Sequence, residues 1–377
     1  MLKEVFLQIK KRLMKIGLFK CMILFLTVCM LIAVGILGVI LYVGRNSLPD
    51  QLMAKRWSDK KDVAQISCFY SEDAFITEDS IEEMRYLLNK KLQELAIEPN
   101  AEGARLYIDA YSAQGTISIK SDKKSIQANA IGVGGDYFMF HPVELVSGMY
   151  FTGNDVMQDA ILLDEEAAWQ LFGANDIAGK TVTIGGVPYR VAGVYAREQG
   201  DLETSAGSKD TTVYIAFGTL NQMNDSGITC YEIVMPNPVE GFAMDRVLEM
   251  NLSSEETVKM VENSNRFSYI SLYNVWKERA ARSMKTNDIV FPFWENLARY
   301  REEQLMEIAL WQALLSGILL IYWGIQGMIW IIRHKPTAQT FVKMWDFISE
   351  KVRRLREQRA AKKVARKIAE QTTYMDD

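Results

Sequence analysis

The chain of 377 residues contains only two histidines and four cysteines, so it offers few side chains for metal binding or covalent catalysis. Neither His141 nor His334 stands in a recognisable motif with serine, aspartate or cysteine, which disfavours nucleophilic triads and histidine-based metal sites. The pair His141-Pro142 is instead typical of a turn, and no spacing among the many carboxylates singles out an acid–base pair. The sequence therefore predicts a non-enzymatic protein with no catalytic residue, no metal site and no cofactor.

A phosphate-binding loop is also lacking, although the segment GANDIAGKT resembles one. Five residues separate Gly173 from Gly179, whereas the loop requires four so that successive backbone N–H groups surround the phosphates. The following residues alternate with a period of two around Gly185-Gly186, which predicts a β-hairpin of strands Thr181–Ile184 and Tyr189–Tyr195. A nucleotide site is therefore excluded here.

Two long apolar runs without any charge place the chain in a membrane. Residues 21–43 and 308–332 comprise 23 and 25 residues, and a membrane-spanning helix needs about 20. This length disfavours buried core helices, and Trp311 and Trp330 lie near the ends of the second run, as in an aromatic belt. A cleaved signal peptide has a shorter apolar run and a small-residue cleavage site, so we expect the first run to be an uncleaved anchor.

The distribution of charge predicts how the chain is oriented. Residues 1–20 hold six Lys/Arg and one acid, and the tail after Ile332 holds twelve Lys/Arg and six acids. This leaves 25 basic and 40 acidic residues in 44–307, a net charge of −15. Because basic flanks stay in the cytoplasm, we expect a two-span cell-membrane protein with both termini cytoplasmic and residues 44–307 outside. The acidic outer surface could attract a cationic substrate or partner.

The pattern of the outer region predicts an α+β domain with a stalk. A strand over Asp62–Tyr70 precedes a capped amphipathic helix over Thr77–Ile97. Three strands follow, in the segments ARLYIDAYS, GTISIKS and SIQANAIGVG, with predicted turns at Gly115 and at Asp122-Lys123-Lys124 between them. Later elements are a mainly-β lobe inserted at about 136–220 with a short helix at Glu165–Phe172, a strand in Gly227–Pro238, a helix, a strand at Phe267–Val275, and a stalk at about 287–307.

Ordered motifs in the predicted inserted lobe resemble the periplasmic core domain of MacB-type ABC transporter permeases. The segments are IGVGGDYFMFHPVELVSGMYF, AILLDEEAAWQLFGANDIAGKTVTIGGVPYRVAGVYARE and TTVYIAFGTL, so residues 130–220 match well and 44–280 match by architecture. The matching positions are Tyr137, Phe138, Gly148, Phe151, Leu171, Phe172, Gly173, Gly179, Lys180, Tyr189–Val194 with Gly193, and Tyr214–Ala216.

The resemblance implies a porter-like α+β lobe and a sabre-like lobe on a membrane stalk. It also implies a permease that dimerises and pairs with an ATPase, whose cycle moves the outer domains to expel a substrate or transmit force. The family has three spans after the outer domain, whereas this sequence shows one and then a basic tail. This difference leaves two readings, a degraded permease or a dedicated accessory subunit, and we favour the accessory subunit.

Further features concern packing and membrane contacts. Cys68 and Cys230 fall on predicted strands on the oxidising side and could form a disulfide, whereas Cys21 and Cys29 are expected to be packing residues in the first span. The second span carries a predicted helix-packing face, unless its glutamines, Gln312 and Gln326, only mark the interfacial ends. That face comprises Gln312, Ser316, Gly317, Gly324 and Gly327.

Both cytoplasmic ends have helical patterns that fit a membrane surface or an ATPase. Residues 1–20 predict a basic amphipathic helix. Its apolar face comprises Leu2, Val5, Phe6, Ile9, Leu13 and Ile16. The tail, 333–377, predicts a basic helix that lies on anionic lipid, docks on an ATPase or pairs as a short coiled coil.

Two functions remain open from the sequence. The first is a subunit of an ABC-type export or mechanotransmission complex, and the alternative is a membrane-anchored binding or sensory protein that works without an ATPase. The partners expected for the first are the lipid bilayer, a second copy or a fuller permease, and a cytoplasmic ABC ATPase. Nucleic acid is not an expected partner.

Overall fold

The computed structural model describes most of the chain between the two basic termini. The described residues are 18–58, 62–98, 104–152, 157–197, 200, 210–254, 256–279, 282, 285–286 and 288–334, with 345–346, 349–351, 353–354 and 357 of the tail. Most of the predicted amphipathic helix and of the predicted basic tail therefore lies outside the described residues. The chain divides into two compact units, Gly35–Gln312 and the combined flanking segments Met1–Val34 and Ala313–Asp377.

Helices and strands alternate along the described chain. The helices are α1 (Leu18–Gly44), α2 (Met53–Trp57), α3 (Glu78–Glu94), α4 (Tyr137–Phe140), α5 (Glu165–Phe172), α6 (Phe217–Asn224), α7 (Phe242–Met250), α8 (Tyr269–Glu278) and α9 (Phe293–His334). The strands are β1 (Val63–Tyr70), β2 (Ile108–Lys120), β3 (Ser125–Gly135), β4 (Leu145–Gly148), β5 (Ala160–Asp164), β6 (Thr181–Ile184), β7 (Val187–Tyr195), β8 (Thr212–Ala216), β9 (Cys230–Pro236), β10 (Val258–Glu262), β11 (Lys285–Thr286) and β12 (Ile289–Val290). This mixture confirms the predicted α+β class.

One ten-stranded sheet organises the unit Gly35–Gln312. Its strand order is β10-β1-β9-β2-β3-β8-β5-β7-β4, and β6 pairs with β2 and β7. The β3–β8 and β5–β7 pairs are parallel and the other pairs are antiparallel. Strands β4 to β8 come from the predicted inserted segment, yet they belong to the same sheet as β1 to β3. The division of 44–307 into two lobes therefore stays a prediction.

Helices cover both faces of the sheet, which buries the side chains on each side of the alternating strands. One core lies under α3, α5, α6 and α7 and includes Ile81, Leu171, Leu220 and Val247. The second core lies under α2, α4 and the start of α9 and includes Met53, Phe140 and Trp294. A strand near the middle of this sheet must therefore bury every side chain, including any polar one.

The predicted helix α3 and the predicted hairpin are confirmed. In α3, the Thr77 hydroxyl accepts a hydrogen bond from the backbone N–H of Ser80 at 3.2 Å, which completes a capping box. Its buried residues, Ile81, Met84, Leu88 and Leu92, form one apolar face. The hairpin joins β6 to β7 through Gly185 and Gly186, both of which have positive φ.

Two helices are long and apolar enough to cross a membrane, namely Phe19–Gly44 and Phe293–Arg333. They contain the predicted spans 21–43 and 308–332. Residues 293–307 of the predicted stalk form the first part of α9, while 289–290 belong to β12. A third apolar cluster, with Leu41, Leu272, Leu305 and Met306, packs α1, α8 and α9 together within the unit Gly35–Gln312.

Two secondary-structure predictions were wrong. The segment Phe267–Val275 was predicted as a strand, but it enters helix α8, where the Ser268 hydroxyl caps the backbone N–H of Ser271 at 3.2 Å. The predicted turn at Gly115 is instead part of the continuous strand β2. A Cβ at Gly115 would lie 2.4 Å from Asn224 Nδ2 of α6, so this glycine permits close packing rather than a turn.

Candidate functional site

A buried ion-paired histidine forms one end of the most distinctive polar site. His141 follows α4, and its Nδ1 lies 3.1 Å from Asp50 Oδ1 in the segment between α1 and α2. Its Nε2 makes a short contact with Glu232 of β9, and the side chains of His141 and Glu232 are only 5% and 3% exposed. The imidazole therefore lies between two carboxylates with almost no access to water.

These surroundings keep His141 protonated. Burial alone would lower the pKa of His141, because it penalises the charged ring, but Glu232 and Asp50 outweigh this effect and raise the pKa to about 10. Both ring nitrogens then donate hydrogen bonds to carboxylate oxygens. At neutral pH the site holds an imidazolium ion shared by two acidic side chains.

A buried arginine forms the other end of the site. Arg266 lies in the loop between β10 and α8, and its Nη1 and Nη2 atoms each donate to Glu295 of α9 at 2.6 Å. Its Nε donates at 2.7 Å to Glu302, which lies about two helical turns beyond Glu295 on α9. Glu302 also pairs with Arg282. Bidentate guanidinium–carboxylate geometry fixes both distance and direction, so these bonds fix α9 against the β10–α8 loop.

Three hydrogen bonds of 2.7–3.3 Å join the two ends. Ser67 of β1 donates to Glu232 Oε1 at 2.7 Å and accepts from Asn263 Nδ2 at 2.7 Å. Asn263 Oδ1 in turn accepts from Arg266 Nη1 at 3.3 Å. A continuous polar chain therefore runs from His141 along one face of the sheet to α9. We call it the buried network; its members are Asp50, Ser67, His141, Glu232, Asn263, Arg266, Arg282, Glu295 and Glu302.

The strand β1 can hold this network because its two faces differ. Ile66, Cys68 and Tyr70 belong to the first core, whereas Gln65 and Ser67 point to the other face and are also buried. Gln65 Oε1 accepts from the backbone N–H of Met53 at 2.9 Å, and Gln65 Nε2 donates to the Asp50 carbonyl at 2.6 Å. Polar residues on one face of β1 thus tie the sheet to the segment that follows α1.

A cavity of about 350 Å³ adjoins the histidine end of the network. Its aromatic lining includes Tyr137, Tyr195, Tyr214 and Trp294. The Tyr137 hydroxyl and the Trp294 indole N–H are buried, and neither makes a hydrogen bond to a residue that the structure describes. The cavity thus has an aromatic lining, and two of the residues that border it carry buried polar atoms. Over the described ranges, no cluster of three or more His, Cys, Asp or Glu could hold a metal ion.

The structure brings several motif residues of the sequence analysis together. Tyr137 and Phe138 pack edge to face at 5.6 Å, and Phe138 also packs on Phe151 and Tyr214. Gly148 and Gly193 lie opposite each other in the β4–β7 pair. These positions belong to one aromatic and backbone-packing region next to the cavity.

The other motif residues shape turns. Gly173 ends α5 in the left-handed conformation, and its N–H donates to the Trp169 carbonyl at 2.8 Å. Phe172 packs under the Lys180 ammonium at 5.3 Å, and Gly179 has a φ of +85°. These positions are consistent with a structural role for Phe172, Gly173 and Gly179, namely to hold the β6–β7 hairpin beside α5.

The predicted disulfide between Cys68 and Cys230 is not formed, although their strands are neighbours. Cys230 pairs with Phe69 and Cys68 pairs with Tyr231, so the two thiols are one position apart in register and project to opposite faces of the sheet. Each is a free, buried cysteine. Burial raises the pKa of Cys68 to about 12, which keeps it a thiol at neutral pH.

The predicted helix-packing residues lie along α9. Gln312 accepts a hydrogen bond from the Tyr269 hydroxyl of α8 at 2.8 Å, so this residue has a partner within the chain. A Cβ at Gly317, Gly324 or Gly327 would meet nothing within 4 Å among the described residues. Together with Ser316, these glycines leave a surface of small side chains, and its use for helix association stays a prediction.

The charge on His141 predicts that stability decreases in alkaline solution. A folded-state pKa of about 10, above the ordinary 6.5, means that this contribution is full below about pH 6.5 and is lost as pH rises through 10. We therefore expect the thermal unfolding midpoint to fall between pH 7 and 10 more steeply in the natural chain than in His141→Gln. Scanning calorimetry of both chains in the same detergent would measure this, and equal pH slopes would contradict a charged His141.

Comparison with known proteins supports a single family. The family described as MacB-like periplasmic core domain matches residues 25–263. A macrolide export ATP-binding/permease protein, MacB 2, of Yersinia pestis bv. Antiqua is 32% identical over 108 residues, which are 28% of this chain and 15% of that protein. MacB of Agrobacterium fabrum is 31% identical over 156 residues, or 38% of this chain and 23% of that protein.

These alignments span less than a quarter of the length of either relative. Among solved structures, the periplasmic region of MacB from Actinobacillus actinomycetemcomitans has 18% sequence identity and a TM-score of 0.39. That similarity covers 58% of this chain and 93% of the solved one.

Proposed function

Because the chain belongs to the MacB-like periplasmic core domain family, we propose that it is a non-enzymatic membrane subunit of an ABC-type export or mechanotransmission complex. Its domain outside the membrane would be the part that moves or contacts a substrate or partner protein. A cytoplasmic ABC ATPase would supply the energy, and a second copy or a fuller permease would complete the membrane part. The names of the relatives, macrolide export ATP-binding/permease proteins, favour this assignment.

The observation that carries the proposal is the buried network. Arg266 bonds to two carboxylates of α9, and the same helix continues into the apolar run 308–332. On the sheet side, the network reaches Glu232 and His141 through Ser67. A displacement of α9 would therefore carry the sheet with it, because the bonds between them are buried and directional. A mechanical subunit needs such a rigid connection.

The membrane arrangement proposed here follows the charge pattern. Both basic termini lie in the cytoplasm and the acidic region 44–307 lies outside, with α1 and α9 as the two spans. The first 20 residues, which lie mostly outside the described ones, would contact the ATPase or the inner membrane surface.

The test is to recover the tagged full chain from its native membrane in mild detergent and to identify the co-purifying proteins by quantitative mass spectrometry. We expect an ABC ATPase in comparable amount, with or without a larger permease. The matched variant Phe6→Ser/Ile9→Ser keeps every positive charge but removes part of the predicted apolar face, and it should recover less ATPase. Recovery of the natural chain alone, or only with copies of itself, would refute the proposal.

A second candidate function, a membrane-anchored binding or sensory protein, rests on the cavity beside His141. Its aromatic lining could hold a small molecule with an apolar or aromatic surface. This function requires no ATPase. It becomes the preferred one if the recovered chain has no ATPase and thermal unfolding shows that a small molecule stabilises it.

A further inference from the structure

Helix α8 has an exposed aromatic face that the proposed function leaves unexplained. Its inward residue Leu272 is buried with Leu41, Leu305 and Met306. On the other side, the exposed large side chains are Tyr269, Ile270, Tyr273 and Trp276, with 54%, 77%, 49% and 47% of their surface accessible. At 100° per residue these four positions cover an arc of about 120°. A face of this width and composition on a ten-residue helix is unusual in contact with water.

The position of α8 along the chain's apolar helices is fixed by specific contacts. The Tyr269 hydroxyl donates to Gln312 Oε1 at 2.8 Å, and Gln312 is the fifth residue of the apolar run 308–332. At 1.5 Å per residue, this point lies about 6 Å inside the start of that run. The hydroxyl of α8 therefore reaches the depth at which the apolar part of α9 has begun.

The end of the first apolar run lies at the same level. Leu41 belongs to that run and packs in the same cluster as Leu272. Arg45, two residues beyond the run, stacks over the Tyr269 ring at 4.4 Å from its centroid. Helix α8 thus adjoins the ends of both apolar runs, where a membrane-spanning protein meets the boundary between acyl chains and headgroups.

The chemistry of the exposed face fits that boundary. Tyrosine and tryptophan are enriched at membrane interfaces because each ring combines an apolar body with a polar group. Tyr273 and Trp276 stack on each other at 5.7 Å. Lys277 lies 4.5 Å from the Tyr273 ring centroid, where its ammonium group can extend towards lipid phosphates.

We propose that the exposed face of α8 inserts into the outer lipid leaflet at the headgroup–acyl boundary. Tyr269, Ile270, Tyr273 and Trp276 would contact lipid, and the helix would hold the base of the outer domain at a fixed depth and tilt. The proposal requires that α1 and α9 cross the bilayer, but it does not require an ATPase. It therefore stands or falls separately from the export function.

The test places an environment-sensitive fluorophore at the most exposed position of this face. Ile270→Cys is introduced into the full chain with Cys21→Ser and Cys29→Ser, labelled with an NBD maleimide and reconstituted in nanodiscs of phosphatidylcholine and phosphatidylglycerol. Cys68 and Cys230 are buried and stay unlabelled in the folded chain. The matched control is Tyr86→Cys in the same background, because Tyr86 is 67% exposed on α3, which covers the opposite face of the sheet from the start of α9.

We expect the fluorophore at position 270 to emit at a shorter wavelength and to be quenched several-fold more by doxyl-labelled lipid than the one at position 86. Quenching by aqueous iodide should show the opposite order. Equal quenching at the two positions would overturn the proposal. Formation of a disulfide-linked dimer by the unlabelled Ile270→Cys chain, together with absence of lipid quenching in the labelled chain, would also overturn it, because a second copy would then cover this face.

Discussion

Replacing Arg266 with methionine is expected to lower the free energy of unfolding of the domain outside the membrane by about 3–5 kcal/mol, because the buried Glu295 loses its paired arginine and the buried Glu302 loses one of its two. The side chains of Arg266 and Glu295 are both only 2% exposed, and Glu302 is 8% exposed. Water cannot replace the lost bonds at this depth. Denaturant unfolding of the detergent-solubilised chain, followed by tryptophan fluorescence, would measure the difference.

The matched control is Arg279→Met, which removes an arginine–glutamate pair of the same chemistry at the surface. Arg279 pairs with Glu307 at 3.2 Å, and each side chain is 56% exposed. We expect a loss of only about 0–1 kcal/mol, because solvent screens such pairs. Similar losses in the two variants would show that burial of the Arg266 ion pairs does not determine their importance.

A double variant separates the loss of charge pairing from the loss of packing. In Arg266→Met/Glu295→Leu, the most deeply buried unpaired carboxylate is removed, while Glu302 keeps its partner Arg282. Replacing a buried ion pair with apolar groups of similar size is often neutral. We therefore expect the double variant to recover most of the lost stability. No recovery would mean that Arg266 acts mainly by filling space.

The second large effect is expected at Gly148, where alanine should destabilise the domain by more than the strain of its backbone conformation alone. Gly148 has a φ of +80°, and an added Cβ would lie 2.2 Å from the Ala192 carbonyl oxygen and 2.5 Å from Gly193 Cα. Both neighbours are backbone atoms of β7, so a rotamer change cannot relieve the clash. Strands β4 and β7 must separate, and the hydrogen bond from Met149 N–H to Ala192 must be lost.

Gly173→Ala is the control for this prediction. Gly173 has a similar φ of +73°, but an added Cβ would meet nothing within 4 Å among the described residues. Its cost should therefore be only the left-handed strain, about 1–2 kcal/mol. Thermal unfolding of both variants, with hydrogen exchange of the β4–β7 amides, would compare them. Equal destabilisation would contradict the close approach of β4 and β7.

Sequence signals within a few residues were sufficient to predict α3, the β6–β7 hairpin and the two apolar helices. The capping residues and apolar periodicity of α3, and the Gly185-Gly186 turn of the β6–β7 hairpin, act over a few neighbouring residues. The two apolar runs likewise exceed the length of a membrane span without reference to any tertiary contact. In each case the residues that determine the structure lie within one short segment of the sequence.

Prediction failed where distant contacts decide the structure. The alternation in FSYISLYNV favours a strand. A helix forms instead, because it is stabilised by packing of Leu272 against Leu41 and Leu305. Similarly, Gly115 resembles a turn residue, and only the position of α6 reveals that it makes room for Asn224. Both errors arise because the deciding partner is far away in the sequence.

For the same reason, the sequence does not predict which residues of the buried network contact each other. His141 and Glu232 are separated by 91 residues, and Ser67 and Asn263 by 196. One signal was available, namely the polar residues Gln65 and Ser67 within the otherwise apolar strand VAQISCFY. A polar side chain in a strand that is buried on both faces requires a hydrogen-bond partner, so these two positions indicate a network without identifying its other members.

The strand order also determines when the domain can be completed during synthesis. The partners of β1 are β9 and β10, which are made only after β2 to β8, whereas β2 and β3 pair as soon as both have emerged. Until β9 is available, β1 is an unpaired, mainly apolar strand, which is a hazard for aggregation. Completion of the β10-β1-β9 side of the sheet must therefore wait until β9 and β10 have been synthesised.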